Sequence, residues 1–428
     1  MARSMTQFEE QFETLLNYFP DEDLALRQLR VKAFNQFKDL GLPSKKWEDW
    51  QFTDFSSLEK TDYRLTWADN LPALPSIIPG QIPNTHLILM INGHYQPQLS
   101  DIPKGVTIST GFDHFKSNPD FYAINGDLNP FFALNTSMMN SGVSIKVEKN
   151  AVIEKAIQVI YLMTDFSEPL MDHPRFHFEI GANSHATIIE HYMGHATTPH
   201  YVNSVSRIKV DENAHLSHIR ILETDDHAIY TASTDYNLSK NARLTTVSLS
   251  SGGQTFRHNM ALAFQGPGAE ATLNGLSLTE NTQHHDQHVV VDHENDACQS
   301  HQLFKYILSD KSSGVFNGKV VVREHTKQTD ADQSNKNLLL SPHALMNANP
   351  QLEIYAEDVK CAHGSTTGQI DPEALFYLRS RGINKQKATE LIIGGFAKEI
   401  IDSIENADIQ TYVGERVTSW LDGTMHHG

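Results

Sequence analysis

Near the end of the chain, Asp358-Val-Lys-Cys361-Ala-His363-Gly364 places one of only two cysteines two residues from a histidine. In an extended strand, residues i and i+2 share a face, so thiolate and imidazole would stand side by side. Both are suited to iron, zinc or an iron–sulfur fragment. Two ligands do not close a site, so the others would have to come from elsewhere. The plainer alternative is an inert core thiol that happens to neighbour an imidazole. A nucleophilic Cys–His pair would also need an orienting group and an oxyanion hole, and the sequence offers neither.

A second group is Gln283-His-His-Asp-Gln-His-Val-Val-Val-Asp-His293. In a strand, His284, Asp286 and His288 share one face, while His285 and His293 take the other. Three metal-capable side chains on one face could bind a cation. The competing reading is a solvated or inward hydrogen-bonded ladder, because 23 histidines make such clusters common. Paired carboxylates come third. Glu353 and Glu357 would share a strand face with Asp358 opposite, as a polysaccharide-cleaving groove would need, but Tyr355 is the only aromatic close by. No GxxxxGK[ST] loop occurs, so the chain has no ATP site of its own. Gly266-Pro-Gly268 is a turn rather than a dinucleotide fingerprint. No CxxC or four-cysteine set exists to close a cluster within the chain.

The elements that position these residues follow from pattern. Phe8, Phe12, Leu15, Leu16 and Phe19 fall at helical spacing and stop at Pro20. Asp21 or Asp23 can cap a second helix carrying Leu26, Leu29, Ala33, Phe34 and Phe37, ended by Gly41 and Pro43. From about residue 85 to 360, short β-branched runs replace helical spacing, as in Val143–Val147, Arg207–Val210, Thr245–Leu249 and Lys319–Val322. Ala186, Ala214, Ala242 and Ala271 each open an Ala-x-(Ile/Leu) strand, spaced by 28, 28 and 29 residues. Asn213 and Asn241 precede two of them, and Asn150-Ala151 resembles an earlier copy. A near-constant period of small turn plus strand favours a β-solenoid over a β-sandwich, whose strands recur at shorter intervals. After Gly368 the pattern is helical again. Asp371-Pro372-Glu373 caps a helix with Leu375, Phe376 and Leu378, stopped at Arg381-Gly382. A further helix begins near Asn384 and contains Gly394-Gly395, a pair costing about 2 kcal/mol of helix propensity. Tight packing within the chain or the approach of a partner would explain it.

The chain has 428 residues, enough for two or three domains, with 39% hydrophobic and 20% charged residues. Its net charge of −18 opposes nonspecific binding to nucleic acid or anionic membrane. No apolar run approaches the roughly 20 residues needed to cross a bilayer. The first residues, MARSMTQFEEQFETLL, lack a signal-peptide core. Two cysteines are too few for a disulfide-stapled secreted protein, so a reducing, cytoplasmic setting is expected.

Several blocks together resemble the SufB/SufD family, the scaffold subunits of the SUF iron–sulfur assembly system. They are Asn337–Ser341, Pro350–Ile354, Glu357-Asp-Val-Lys-Cys-Ala-His-Gly364, Gly368-Gln369 and Phe376-Tyr-Leu-Arg-Ser-Arg-Gly-Ile383. Gly41-Leu-Pro43, Trp50–Asp54, Asn92-Gly93, Leu134-Asn135, Gln283–His293, Lys305, Phe316-Asn-Gly318 and Gln328–Ala331 add to the match, which spans nearly the whole chain. The N-terminal module and the missing mid-chain cysteines are similar to the SufD branch. The resemblance implies a right-handed parallel β-helix, residues 66–369, between helical domains at 1–65 and 370–428. It implies a non-catalytic scaffold in a complex with SufB and two copies of the ATPase SufC. SufB would pair through the β-helix. SufC would dock on the C-terminal helices, about residues 372–400, with Phe376, Tyr377, Arg379, Arg381, Gly394 and Gly395 at the contact. Cys361 and His363 match the Lys-Cys-x-His-Gly motif near the SufB–SufD interface, where a nascent Fe–S cluster would be held transiently. Sulfur would arrive through SufB. Reduced flavin is associated with such complexes, but no residue here marks a flavin site. A homodimer of the chain alone stays open. The alternatives are a carbohydrate-active β-helix enzyme and a structural adaptor in which Cys361 is only packed.

Overall fold

One column of left-handed residues sets the period of the structure. Asn150, Asn183, Asn213, Asn241, Gly268, Ala297 and Gln328 all have φ between 53° and 72°. Each donates its backbone N–H to a carbonyl on the following coil, as Asn183 does to Glu212 and Asn213 to Lys240. Asparagine tolerates this conformation better than other side-chain-bearing residues. The first four stack their amides, Nδ2 of Asn183, Asn213 and Asn241 each donating to the preceding Oδ1 at 3.1 Å. Gly268 ends the ladder, since a Cβ there would lie 2.6 Å from Asn241 Oδ1.

The computed structural model describes residues 2–68, 77–122, 129–164, 166–194 and 196–425. Its main body is a β-solenoid. From Ile157 onward, most successive strands alternate between two sheets, and each of these pairs in parallel with the equivalent strand of the next coil. In one sheet, equivalent residues His185, His215, Arg243, Glu270, Gln299, Asp330 and Lys360 are 30, 28, 27, 29, 31 and 30 apart. The alanine repeat read from sequence is therefore only half in register. Ala214 and Ala242 do stack, but Ala186 lies against Leu216 and Ala271 against Leu244. The true small-residue column directly follows the left-handed turn: Ser184, Ala214, Ala242, Ala269, Cys298 and Thr329. Coil-to-coil spacing of about 4.8 Å leaves room only for small side chains at this corner. Cys298 is fully buried there, which accounts for the second cysteine.

Of five apolar clusters among the described residues, the three largest hold the main parts together. The largest fills the solenoid lumen, from Val143, Phe176 and Phe178 to Phe304, Phe316 and Val322. A polar group interrupts it, with buried Glu190 accepting from Tyr192 at 2.6 Å and lying 3.1 Å from His218 and 3.5 Å from Arg220. A second core joins the outer face of one sheet (Ile219, Val247, Leu276, Ile307, Leu338) to the C-terminal helices through Ile393, Ala397, Ile400, Val413 and Trp420. The third seats the N-terminal helices Ala2–Tyr18 and Leu24–Leu40 against the other sheet's outer face at Met171, Tyr201 and Ile229. Asp23, not Asp21, caps the second of these helices. None of the described helices is long and apolar enough to cross a membrane.

Candidate functional site

The coil ends differ. Toward the N-terminus the sheets close with antiparallel strands, His94–Tyr95 on one and Val106–Thr110 on the other. At the far end, Leu345–Ile354 and Val359–Gln369 are the last strands of their sheets, and neither has a neighbour beyond it among the described residues. Their outer backbone donors and acceptors are unpaired by any strand, the arrangement that accepts strand addition.

Cys361 and His363 lie on this last coil. Cys361 pairs in register with Ala331 and His363 with Gln333, both buried lumen residues. The two side chains therefore share the lumen face, with Cα atoms roughly 6.6 Å apart by strand geometry. The sequence foresaw the shared face but not that it is the inside of the solenoid. Cys361 is half-buried and packs on the lumen core, whereas His363 is exposed because no further coil covers it. Burial pushes the Cys361 thiol up, the Asp330 carboxylate adds to this, and a hydrogen bond from Ala331 partly offsets it. The raised value keeps the thiol protonated at neutral pH. Among the described residues no three His, Cys, Asp or Glu side chains converge as a metal site.

Polar side chains reinforce the parallel ladder that pairs the edge strand with Thr329–Leu339. Ser365 donates to Asn335 Oδ1 at 3.0 Å, and Asn337 Nδ2 donates to Thr367 at 3.0 Å. Two residues after it ends, Asp371 caps the helix Pro372–Ser380 by accepting from Glu373 N. That helix has no buried residue, and it presents Phe376 at 74% and Tyr377 at 57% exposure. Arg379 and Arg381 are exposed beside them, the guanidinium of Arg381 lying 5.1 Å from the Tyr377 ring centroid. Asn384 caps the next helix, Lys385–Ile401, as its spacing predicts. Gly394 and Gly395 have open space where a Cβ would stand, so tight packing within the chain does not explain them. Gly394 instead lines a groove with Leu391, Ile401, Gly414 and Thr418. Gly414 and Thr418 belong to a third helix, Ala407–Met425, which sequence reading had not singled out. Ile409, Val413, Val417 and Leu421 at helical spacing, after an Asn406 that caps Asp408 and Ile409, were the available signal.

The histidine-rich strand serves another purpose. His284, Asp286 and His288 do face outward together, but they clamp the N-terminal module rather than converge on a metal. Thr53 Oγ1 lies 2.9 Å from His284 Nε2 and donates to Asp286. Asp286 also receives Arg257 Nη1 at 2.6 Å and sits 3.1 Å from His288 Nε2. Arg257 in turn donates to the Asp49 carbonyl and lies 3.7 Å from the Trp50 ring centroid. Burial would raise the Asp286 carboxyl, but Arg257 and His288 outweigh it and hold it far below the usual range. His285 and His293 are buried in the lumen, bonded to Ser250 and the Gly252 carbonyl, and to Ser300, respectively. Burial lowers each to about 4, so both are neutral structural residues. The carboxylate pair also separates. Glu353 ends up 2.6 Å from Lys319 on the last strand of its sheet, while Glu357 and Asp358 lie in the turn beyond, on no common strand face.

Family models match almost the whole chain. Residues 3–159 match the SufBD protein N-terminal region, and residues 162–396 match the SufBD core domain of SUF-system FeS cluster assembly. The iron–sulfur cluster assembly protein SufD of Escherichia coli (strain K12) is 32% identical over 386 residues, covering 90% of each chain. An iron–sulfur cluster assembly SufBD family protein of Synechocystis (strain PCC 6803) is 31% identical over 407 residues, covering 91% of this chain and 90% of that one. SufD of Bacillus subtilis (strain 168) is 25% identical across 89% of this chain and 90% of its own. With both regions of the fold matched and an open last coil carrying the Lys-Cys-Ala-His-Gly motif, the chain belongs to the SufB/SufD family of iron–sulfur cluster assembly proteins, on the SufD side of the SUF system.

Proposed function

We propose that this chain is a non-catalytic scaffold subunit that completes a cluster-building site only with a partner. The observation that carries this is the placement of Cys361 and His363 side by side in the lumen of a coil whose edges have no neighbouring strand among the described residues. A SufB-type partner would add its own β-helix to these edges and supply the missing ligands to a nascent Fe–S cluster, the cargo of the complex. In isolation the same edges would accept a second copy of the chain. A SufC-type ATPase would dock on Phe376, Tyr377, Arg379, Arg381 and the Gly394-Gly395 face. ATP hydrolysis belongs to that partner, because this chain has no phosphate-binding loop. Nucleotide-driven movement of the ATPase would open and reclose the interface around the cluster, in a reducing cytoplasm. Flavin, if used, belongs to the complex and to no residue named here.

The test is co-expression with SufB- and SufC-type partners followed by anaerobic spectroscopy. Cys361→Ser and His363→Ala are expected to leave the complex assembled and to lower cluster yield several-fold. Full yield from the double variant rejects the site. A purely structural adaptor is the second reading, favoured by the packing of Cys361 on the lumen core. Silent cysteine and histidine substitutions, with ATPase binding lost on Phe376→Ala, would establish it.

A further inference from the structure

Lys305 and Lys336 are cross-strand neighbours on successive coils, in register with each other and, one strand further, with Thr366 of the edge strand. Both reach the same carboxylate. Glu399 of helix Lys385–Ile401 lies 2.6 Å from Lys305 Nζ and 3.3 Å from Lys336 Nζ. Lys305 is 3% exposed, and its ammonium also donates to the Phe396 carbonyl at 2.7 Å and lies 4.7 Å from that ring's centroid. A buried ammonium needs such partners, so the helix is pinned where Lys305 ends. Lys336 stands between Asn335 and Asn337, the two residues that hold Ser365 and Thr367 of the edge strand. The chain of contacts thus runs from Glu399 through Lys336 and its flanking asparagines to the strand that bears Cys361 and His363.

We propose that Glu399, gripped by Lys305 and Lys336, is a positioning residue that ties the C-terminal helices to the last coil and so fixes the placement of Cys361 and His363. Its functional weight rests on the role given above to those two residues. The glycine pair Gly394-Gly395, itself part of the proposed docking face, lies one turn before Glu399, so the helix backbone is weak just ahead of the clamp. Movement imposed on the helices would reach the last coil through this carboxylate.

Thiol alkylation of the full chain, at a dilution where sedimentation shows a monomer, tests the clamp without any partner, because Cys361 is half-buried and Cys298, the only other cysteine, is fully buried. Glu399→Gln and Lys305→Met are expected to speed alkylation of Cys361 roughly threefold by loosening the strand locally, with Cys298 still protected. Lys336→Met, a half-exposed position, removes one arm without a burial cost and should give a smaller rise. Asp402→Asn breaks the exposed Lys398–Asp402 pair on the same helix and should change nothing. An unchanged Cys361 rate in all three clamp variants overturns the proposal, and so does a parallel rise at Cys298, which would mean general loosening. If Cys361→Ser is silent in the assembled complex, the ligand role fails while the alkylation result stands, so the two ideas fail separately.

Discussion

Cys361 lies directly across from Ala331 in the parallel ladder, so its thiol enters the lumen instead of a surface groove. The thiol is also held above its ordinary value by burial and by Asp330. In the proposed ligand role, binding a metal there would displace a proton, and thiolate content below the pKa rises about tenfold per pH unit. Cluster yield of the assembled complex is expected to climb between pH 7 and pH 9, and Cys361→Ser should flatten that climb. Anaerobic absorbance titrations measure both.

Gly394→Ala and Gly395→Ala separate packing from partner contact. Each position is open in this chain, so alanine should stabilise the helix by about 1 kcal/mol. The unfolding midpoint of the isolated chain should rise while affinity for the ATPase partner falls. Unchanged affinity in both variants would remove the glycine face from the docking surface.

The N-terminal module should come loose when its clamp is cut. Arg257→Met breaks a buried pair with Asp286 and is expected to cost about 3–5 kcal/mol. Thr53→Ala removes a donor to the same buried carboxylate and should cost about 1–2 kcal/mol. Limited proteolysis should then cut between the module and the solenoid, at unchanged solenoid stability in the milder variant.

Acid should attack the lumen at Glu190. Burial alone would push this carboxyl up, but His218, Arg220 and Tyr192 overcome it and hold it near 2 against an ordinary 4.5. A depressed carboxylate contributes stability that is complete above its unfolded value and is lost as pH falls toward the folded one. Stability should therefore drop between about pH 4.5 and pH 2. Glu190→Gln should remove that part of the acid dependence and cost roughly 3 kcal/mol at pH 7, read by denaturant melts across pH.

Asn213 is one of two inner rungs of the amide ladder, with φ of 55° and neighbours on both sides. Asn213→Ala pays the left-handed penalty of about 1–2 kcal/mol and breaks two side-chain bonds. Asn213→Gly keeps the turn and should lose less. Equal losses from the two would show that the ladder bonds, and not the backbone conformation, dominate.

Local chemistry was legible in the sequence wherever a residue acts through its near neighbours. The caps at Asp371 and Asn384, the helix stops and the shared face of Cys361 and His363 follow from spacing and side-chain type, whereas the choice of Asp23 over Asp21 and the left-handed asparagines came from the structure. Family motifs carried the rest of the identification. Register was not legible, because coils of 27 to 31 residues vary in loop length, and only the ladder decides that Ala186 meets Leu216. Nor could spacing decide the fate of the histidine strand. Whether His284, Asp286 and His288 hold a metal or a protein module depends on Thr53, Trp50 and Arg257, which lie 27 to more than 230 residues away. Cys361 and His363 were marked by sequence as an unfinished pair. The tertiary structure decided that they sit inside the open mouth of a solenoid, because only stacking of the coils fixes which face is inward and which edge is left bare.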